Sequence, residues 1–140
     1  MRQLGIDYGD ARVGVAITDP LNITVQGLET IQRKGSDKVV LRRLDEILDK
    51  YEIDTIVVGM PLNLKGEKTV RAEVTEKFIH KLKCKYNKIK IVAVDERLTT
   101  VSAHKTMNFL DINKNKKRDI VDTISAVYIL ETYMGQVSNK

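Results

Sequence analysis

LGIDYGDARVGVAIT, residues 4–18, is the segment with the clearest signal for the fold. It completes an apolar strand pattern that begins at Gln3 and ends at Asp7, and a glycine-containing turn follows at residues 8–12. Valine and isoleucine then alternate with glycine, alanine and threonine over residues 13–18, which is typical of a β-strand with one small-residue face. This stretch therefore predicts two antiparallel strands with a carboxylate at the end of the first.

The chain beyond this hairpin predicts a third strand at residues 24–31, followed by alternating helices and strands. Residues 54–59 and 89–94 are short apolar runs of the kind found in buried parallel strands. Four helices are predicted: from a cap at Ser36 or Asp37; along the apolar stripe Val70, Val74, Phe78 and Leu82; from a cap at Thr99 or Thr100 to about Phe109; and over residues 119–134.

The order of these elements, βββαβαβα followed by one further helix, predicts an α/β fold with a mixed sheet and helices on both faces. The chain has 140 residues, which suits a single domain over residues 1–140. Residues 113–118 are polar and basic and predict a loop. The last helix is apolar nearly all round, so we expect it to be buried against the sheet.

The composition is that of a soluble protein with a basic surface. Hydrophobic residues make up 42%, charged residues 31%, and the net charge is +5, which favours polyanionic partners. No apolar stretch approaches the roughly 18 residues of a membrane span, and the first residues show no signal peptide. Cys84 is the only cysteine, which excludes an intramolecular disulfide and fits a cytoplasmic location.

Three carboxylates occupy positions at which the predicted fold can bring them together. Asp7 ends the first strand, Glu96 follows the fifth, and Asp122 lies early in the last helix, where the small residues Ser125 and Ala126 would let the helix backbone approach the sheet. Carboxylates this close repel one another unless cations neutralise them. Mg²⁺ or Mn²⁺ bound by this triad would support phosphodiester hydrolysis.

Each carboxylate also has a simpler interpretation. Asp7 can satisfy a turn, and Glu96 can pair with its neighbour Arg97. Asp122 can be a helix N-terminal charge stabilised by the dipole, although Asp119 suits that role better. Asp95, beside Glu96, can compete for a role as metal ligand.

Several polar and basic residues near the expected site are candidates for binding nucleic-acid phosphates. Two lie in the loop after the fourth strand, one begins the next helix, two neighbour the proposed carboxylates, and three form a charge run before the last helix. The alternative for each is a solvated side chain or an ion pair. The candidates are Arg12, Asn63, Lys65, Arg71, Arg97, Lys116, Lys117 and Arg118.

Four motifs in order resemble the YqgF/RuvX family, described as pre-16S ribosomal RNA nucleases and as Holliday junction resolvases. They are GIDYG with RVGVAITD at residues 5–19, VGMPLN at 58–63, VDERLTT at 94–100 and VDTISA at 121–126. The resemblance covers essentially the whole chain. It implies a ribonuclease H-like fold, a cytoplasmic bacterial protein, and acidic site residues at Asp7, Glu96 and Asp122. Ser125 stands where the family usually has alanine.

Three functions remain open from the sequence. The first is a metal-dependent endonuclease acting on structured RNA, most directly the 5′ end of pre-16S ribosomal RNA, or on a branched DNA junction; cutting a junction would require a homodimer. The second is a nucleotide-binding domain of the actin and sugar-kinase type, because residues 7–19 also resemble its first phosphate motif. The third is a non-catalytic RNA-binding assembly factor.

Overall fold

The computed structural model describes residues 1–62, 65–67, 69–95 and 114–138, and within the last range it describes side chains only for residues 123–137. The order βββαβαβα is confirmed, and the helix predicted to end near Phe109 lies outside the described residues. The elements are β1 (Arg2–Tyr8), β2 (Arg12–Thr18), β3 (Val25–Gln32), α1 (Asp37–Lys50), β4 (Ile53–Met60), α2 (Val70–Lys85), β5 (Lys90–Asp95) and α3 (Lys114–Ser138).

The five strands form one mixed sheet with the order β3-β2-β1-β4-β5. β1, β2 and β3 are an antiparallel meander, whereas β4 and β5 run parallel to β1. The carboxyl ends of β1, β4 and β5 therefore meet at one edge of the sheet, the edge at which ligands gather in open α/β folds.

Helices cover both faces of the sheet, as the sequence predicts. On one face, alternate residues of β1 and β2 pack against α1 and α2; this core includes Leu4, Ile6, Val13, Val15, Leu44, Phe78 and Leu82. On the other face, α3 packs against the small-residue side of β2 and against β4 and β5; this smaller core contains Ala16, Val57, Val94, Ala126, Ile129, Leu130 and Tyr133.

The expected close approach of the last helix to the sheet is also confirmed. Ser125 and Ala126 are buried, and the Ala126 carbonyl lies against Gly5 of β1. Gly27 of β3 packs in the same way against the Thr123 side chain. Small residues are thus needed on both partners, and the glycines of the sheet contribute as much as those two residues of the helix.

The predicted apolar stripe of α2 is wrong at its first two positions. Val70 is 78% exposed and Val74 37% exposed, whereas Phe78 and Leu82 are buried together with Ala72. Four residues turn an α-helix about 40° past a full circle. Residues 70 and 74 consequently rotate away from the sheet-facing side that the later residues define.

The loop predicted for residues 113–118 is also wrong, because α3 begins at Lys114. Lysine and arginine are good helix formers, and the run contains no proline or glycine to stop a helix. Asp122 therefore lies about two turns into α3, beyond the first turn in which the helix dipole stabilises a carboxylate. The same argument removes Asp119 as an N-terminal helix charge.

Residues 119–134 are apolar nearly all round in sequence, but the side chains described for α3, residues 123–137, are buried on one side only. The side chains on its sheet-facing side are buried, whereas Glu131 and Gln136 are exposed and Val137 is 49% exposed. Among the described residues, no helix is long and apolar enough to cross a membrane.

Candidate active site at the carboxyl edge of the sheet

Asp7 lies on the α3 face of β1, one residue before the strand ends. Leu4, Ile6 and Tyr8 belong to the core on the opposite face, and side chains alternate along a strand. Gly5, which touches α3, shares the face of Asp7. Asp7 is partly buried, so its carboxylate lies beside α3 at the edge where three parallel strands end.

The cross-strand row that contains Asp7 fixes its position relative to α3. Asp7 pairs with Gly14, and Gly14 pairs with Thr30. The Oγ1 atoms of Thr30 and Thr123 lie 2.9 Å apart, so α3 passes over this row at the residue that follows Asp122. Because Gly14 has no side chain, the space above the sheet between Asp7 and Thr30 is not filled by the strand that separates them.

The end of β5 brings the chain to the same edge directly before Glu96. Val94 packs with α3, and Met60 of β4 pairs with Asp95. Alternation therefore turns Asp95 towards the α2 face, away from Asp7. This geometry excludes Asp95 from a site shared with Asp7. A pocket of about 360 Å³ on the α2 face, lined by residues that include Met60, His80 and Ala93, is likewise separate from Asp7.

Part of the predicted site lies outside the described residues. Asn63, Glu96 and Arg97 belong to that part, and the same holds for the side chains of Lys116, Lys117, Arg118 and Asp122, whose backbone is in α3. Within the described part of the chain, no three acidic, histidine or cysteine side chains gather closely enough to hold a metal ion.

The structure places three of the predicted phosphate-binding residues around the carboxyl edge. Arg12 begins β2 on the same face as Asp7, and Lys65 is exposed in the connection between β4 and α2. Arg71, in the first turn of α2, donates from Nη2 to the Tyr8 carbonyl at 3.2 Å and pairs with the Asp10 carboxylate at 3.3 Å. Of these three, Arg71 is bonded to the turn that follows Asp7 and Arg12 is its last residue, whereas Lys65 lies in the connection that leaves β4 at the same edge.

That turn, residues 9–12, is held at several points. The Gly9 amide donates to the Arg12 carbonyl at 3.0 Å, and a Cβ atom on Gly9 would lie 2.5 Å from the same oxygen. Arg33, just after β3, donates from its amide to the Ala11 carbonyl at 2.9 Å and from Nη1 to the Asp10 carbonyl at 3.0 Å. Glycine at position 9 and arginine at position 33 thus give the turn a defined shape.

Asp37, the first residue of α1, connects this turn to both helices on the α1–α2 face. Its carboxylate accepts from the Tyr8 hydroxyl at 2.5 Å, from Arg33 Nε at 2.9 Å and from Lys81 Nζ at 2.8 Å. Burial alone would raise the pKa of Asp37, but the bonds from Lys81, Tyr8 and Arg33 outweigh burial and hold the pKa at about 2. Burial and then the bond to Asp37 raise the pKa of Tyr8 to about 12.

Reasoning from the sequence missed the parts of this arrangement that are remote in the chain. Arg33 and Asp37 look like an ordinary ion pair at the start of a helix, spaced i, i+4. Tyr8 follows Asp7 directly, which was the one available signal. The tyrosine stacks on Phe78 with ring centroids 4.1 Å apart, so the residue after the candidate ligand is anchored between β1 and α2.

The arrangement combines a carboxylate at a ligand-binding edge with nearby guanidinium groups on a rigid turn. Carboxylate oxygens are suited to hard divalent cations, and guanidinium groups are suited to phosphate oxygens. The geometry at this edge is therefore compatible with a phosphate ester held between a cation and arginines.

Comparisons with known proteins agree with this geometry. A family model described as "RuvX: Holliday junction resolvase" matches residues 1–136. A protein of Ruminiclostridium cellulolyticum named "Putative pre-16S rRNA nuclease" is 52% identical over 138 residues, which are 99% of this chain and 96% of that protein. The two descriptions differ in the nucleic acid that they mention, a Holliday junction in the first and ribosomal RNA in the second.

Solved structures share the fold at low sequence identity. The Holliday junction resolvase of fowlpox virus superposes with a TM-score of 0.58 at 15% identity, covering 98% of this chain and 99% of the viral one. RuvC of Thermus thermophilus, solved with a Holliday junction substrate, has a TM-score of 0.55 at 13% identity and covers 96% of both chains. The expected ribonuclease H-like fold is thereby confirmed, and the match over residues 1–136 together with the 52% identity shows that this chain belongs to the RuvX family.

Proposed function

We propose that this protein is a metal-dependent endonuclease that hydrolyses phosphodiester bonds in structured nucleic acid, with the 5′ end of pre-16S ribosomal RNA as its substrate. The name of the relative with 52% identity supports the choice of substrate. The basic net charge of +5 supports a polyanionic partner.

The position of Asp7 carries the proposal. Its carboxylate lies at the carboxyl edge, on the face covered by α3, in the row that α3 crosses next to Asp122. Glu96 follows Asp95 directly, and consecutive Cα atoms are only about 3.8 Å apart, so the chain reaches Glu96 from this same edge. β1, β5 and α3 meet at this edge, which supports a site shared by the three carboxylates.

Mg²⁺ or Mn²⁺ would be held by the carboxylates of Asp7, Glu96 and Asp122. The fit rests on the chemistry of the donors, since all three offer the hard oxygen ligands that these cations prefer. When bound, the cation supplies Lewis-acid stabilisation of the charge that develops on the phosphate.

The basic residues would bind and orient the nucleic-acid backbone. Arg12 shares the face of Asp7, whereas Lys65 and Arg71 border the edge from the α2 side. Such contacts set affinity and register without reading sequence. The same role is proposed for the candidates outside the described side chains: Asn63, Arg97, Lys116, Lys117 and Arg118.

The test is cleavage of two labelled substrates, a pre-16S 5′ leader RNA and a four-way DNA junction, in Mg²⁺, Mn²⁺ or EDTA. We expect metal-dependent cutting of the RNA, abolished by Asp7→Asn. Asp95→Asn is the matched control, because it removes a neighbouring carboxylate from the opposite face of the sheet and should leave cutting intact.

The remaining outcomes of this experiment assign the alternatives. Symmetric cutting of the junction alone would make the protein a Holliday junction resolvase, the activity in the family's description, and would require a homodimer in solution. Tight binding with no cutting of either substrate would make it a non-catalytic RNA-binding assembly factor. A separate assay that finds ATP turnover without nucleic acid would support the nucleotide-binding alternative.

A further inference from the structure

A polar network of four side chains lies behind the candidate site. It joins Tyr8, Arg33, Asp37 and Lys81 through hydrogen bonds of 2.5–2.9 Å. The Asp37 side chain is only 10% exposed. None of these groups shares the α3 face of Asp7, so none is placed to touch a metal ion or a phosphate there.

The network reaches the candidate site through the backbone. Arg33 holds the Asp10 and Ala11 carbonyls of the turn, and Tyr8 is the residue next to Asp7. The carboxylate of Asp37 fixes both the Arg33 guanidinium and the Tyr8 hydroxyl. The Asp37 carboxylate is therefore linked to both the strand end and the turn that follows it.

We propose that Asp37, acting through Arg33 and Tyr8, is a positioning residue that holds the end of β1 and the turn at residues 9–12 in the geometry required for metal binding by Asp7. This inference rests on the proposed function. Groups hydrogen-bonded directly to a metal ligand commonly change metal affinity about 10–100-fold when they are removed. Asp37 is one link further from Asp7, so the lower figure, about tenfold, is the effect expected.

The fold contains a matched control for this network. Asp45, two turns further along α1, also bonds a tyrosine hydroxyl and a lysine: Tyr86 at 2.6 Å and Lys85 at 2.8 Å. That cluster joins the second half of α1 to the end of α2, and neither of these two bonds involves a residue of the turn. Asp37→Asn and Asp45→Asn thus break chemically similar links, of which only the first leads to the candidate site.

The experiment compares the wild-type chain with both variants by Mn²⁺ titration and by amide hydrogen exchange of Gly9 and Arg33, whose N–H groups bond across the turn. We expect Asp37→Asn to weaken Mn²⁺ binding at least about tenfold and to accelerate exchange at both amides. Asp45→Asn should do neither. Arg33→Lys keeps the charge but replaces the two separate donor nitrogens, Nε to Asp37 and Nη1 to the Asp10 carbonyl, by a single nitrogen without the rigid fork of the guanidinium. It should resemble Asp37→Asn and serves if that variant does not fold.

The outcomes separate this inference from the proposed function. If the Asp37 and Asp45 variants both bind Mn²⁺ with the affinity of the wild type, the positioning role alone is overturned. Loss of binding to the same extent in both variants would also overturn it, because it would show a general effect of weakened helix packing. A wild-type chain that binds no Mn²⁺ would overturn both the positioning role and the metal-dependent function.

Discussion

The carbonyl oxygen of Ala126 lies 2.8 Å from the position that a Cβ atom on Gly5 would occupy. Real Cβ atoms do not approach an oxygen so closely, so α3 can sit at this distance from β1 only while residue 5 is glycine. The same contact sets how near α3 comes to Asp7, two residues further along the same face of the strand.

Gly5→Ala should therefore destabilise the fold by about 1–3 kcal/mol, the usual cost of overpacking a closed core. It should also weaken Mn²⁺ binding, because the helix that carries Asp122 must shift. Denaturant unfolding and a Mn²⁺ titration measure the two effects. Gly135→Ala is the control: its added methyl group meets nothing within 4 Å, so stability should rise by up to about 1 kcal/mol. Equal stability of Gly5→Ala and wild type would contradict the close-packing argument.

Divalent cations should stabilise the folded chain if the carboxylates form a site. A ligand at 100 times its dissociation constant adds about 2.7 kcal/mol to the free energy of unfolding. The thermal midpoint should therefore rise with Mg²⁺ or Mn²⁺ and fall again with EDTA. In Asp7→Asn the rise should be lost, whereas Asp95→Asn should respond like the wild type. A midpoint that Mg²⁺ raises equally in Asp7→Asn would show that the cation binds elsewhere.

The acid stability of the fold should depend on Asp37. Its pKa is lowered to about 2 in the folded state from an ordinary value of 3.8. A lowered carboxyl pKa contributes stability that is fully present above about pH 4 and is lost as the pH falls towards 2; this shift corresponds to about 2 kcal/mol.

Denaturant unfolding between pH 6 and pH 2 measures this contribution. Asp37→Asn should be less stable at neutral pH and should lose less stability on acidification than wild type. Asp45→Asn should have a smaller effect on the stability lost at acid pH, because the Asp45 side chain is 46% exposed and solvent screens its bonds. If the free energy of unfolding falls by the same amount between pH 6 and pH 2 in wild type and Asp37→Asn, the assignment is refuted.

Arg71 should contribute one phosphate contact to nucleic-acid binding. Its ion pair with Asp10 is weak, because the two side chains are 46% and 84% exposed, so a phosphate can replace the carboxylate. Arg71→Gln should lower affinity and reduce the slope of log K against log salt by about 1. Fluorescence anisotropy with an RNA duplex measures this slope, with Lys50→Gln at the end of α1 as the control. If the slope of log K against log salt is unchanged, Arg71 does not contact a phosphate and its role is to hold the turn.

Much of the fold could be predicted because its signals are local. Strict alternation over residues 13–18 identifies a strand with one small-residue face, and the apolar spacing of residues 40–51 identifies α1. The errors arose where a local pattern does not determine the outcome. Residues 114–118 are polar, but nothing in their chemistry stops a helix, and Val70 matches a helical stripe that the sheet does not meet.

The features of the candidate site also fall into those that local sequence shows and those that it does not. The local sequence is enough to show that Asp7 ends a strand before a tight turn, because a five-residue pattern and a glycine mark both features. The tertiary structure was needed to show that Asp95 turns away from Asp7 and that α3 crosses the row of Asp7 beside Asp122. It also decided that Arg33 and Asp37 hold the turn from behind. These relationships join residues far apart in the chain, and they depend on strand register and helix packing, which no local pattern encodes.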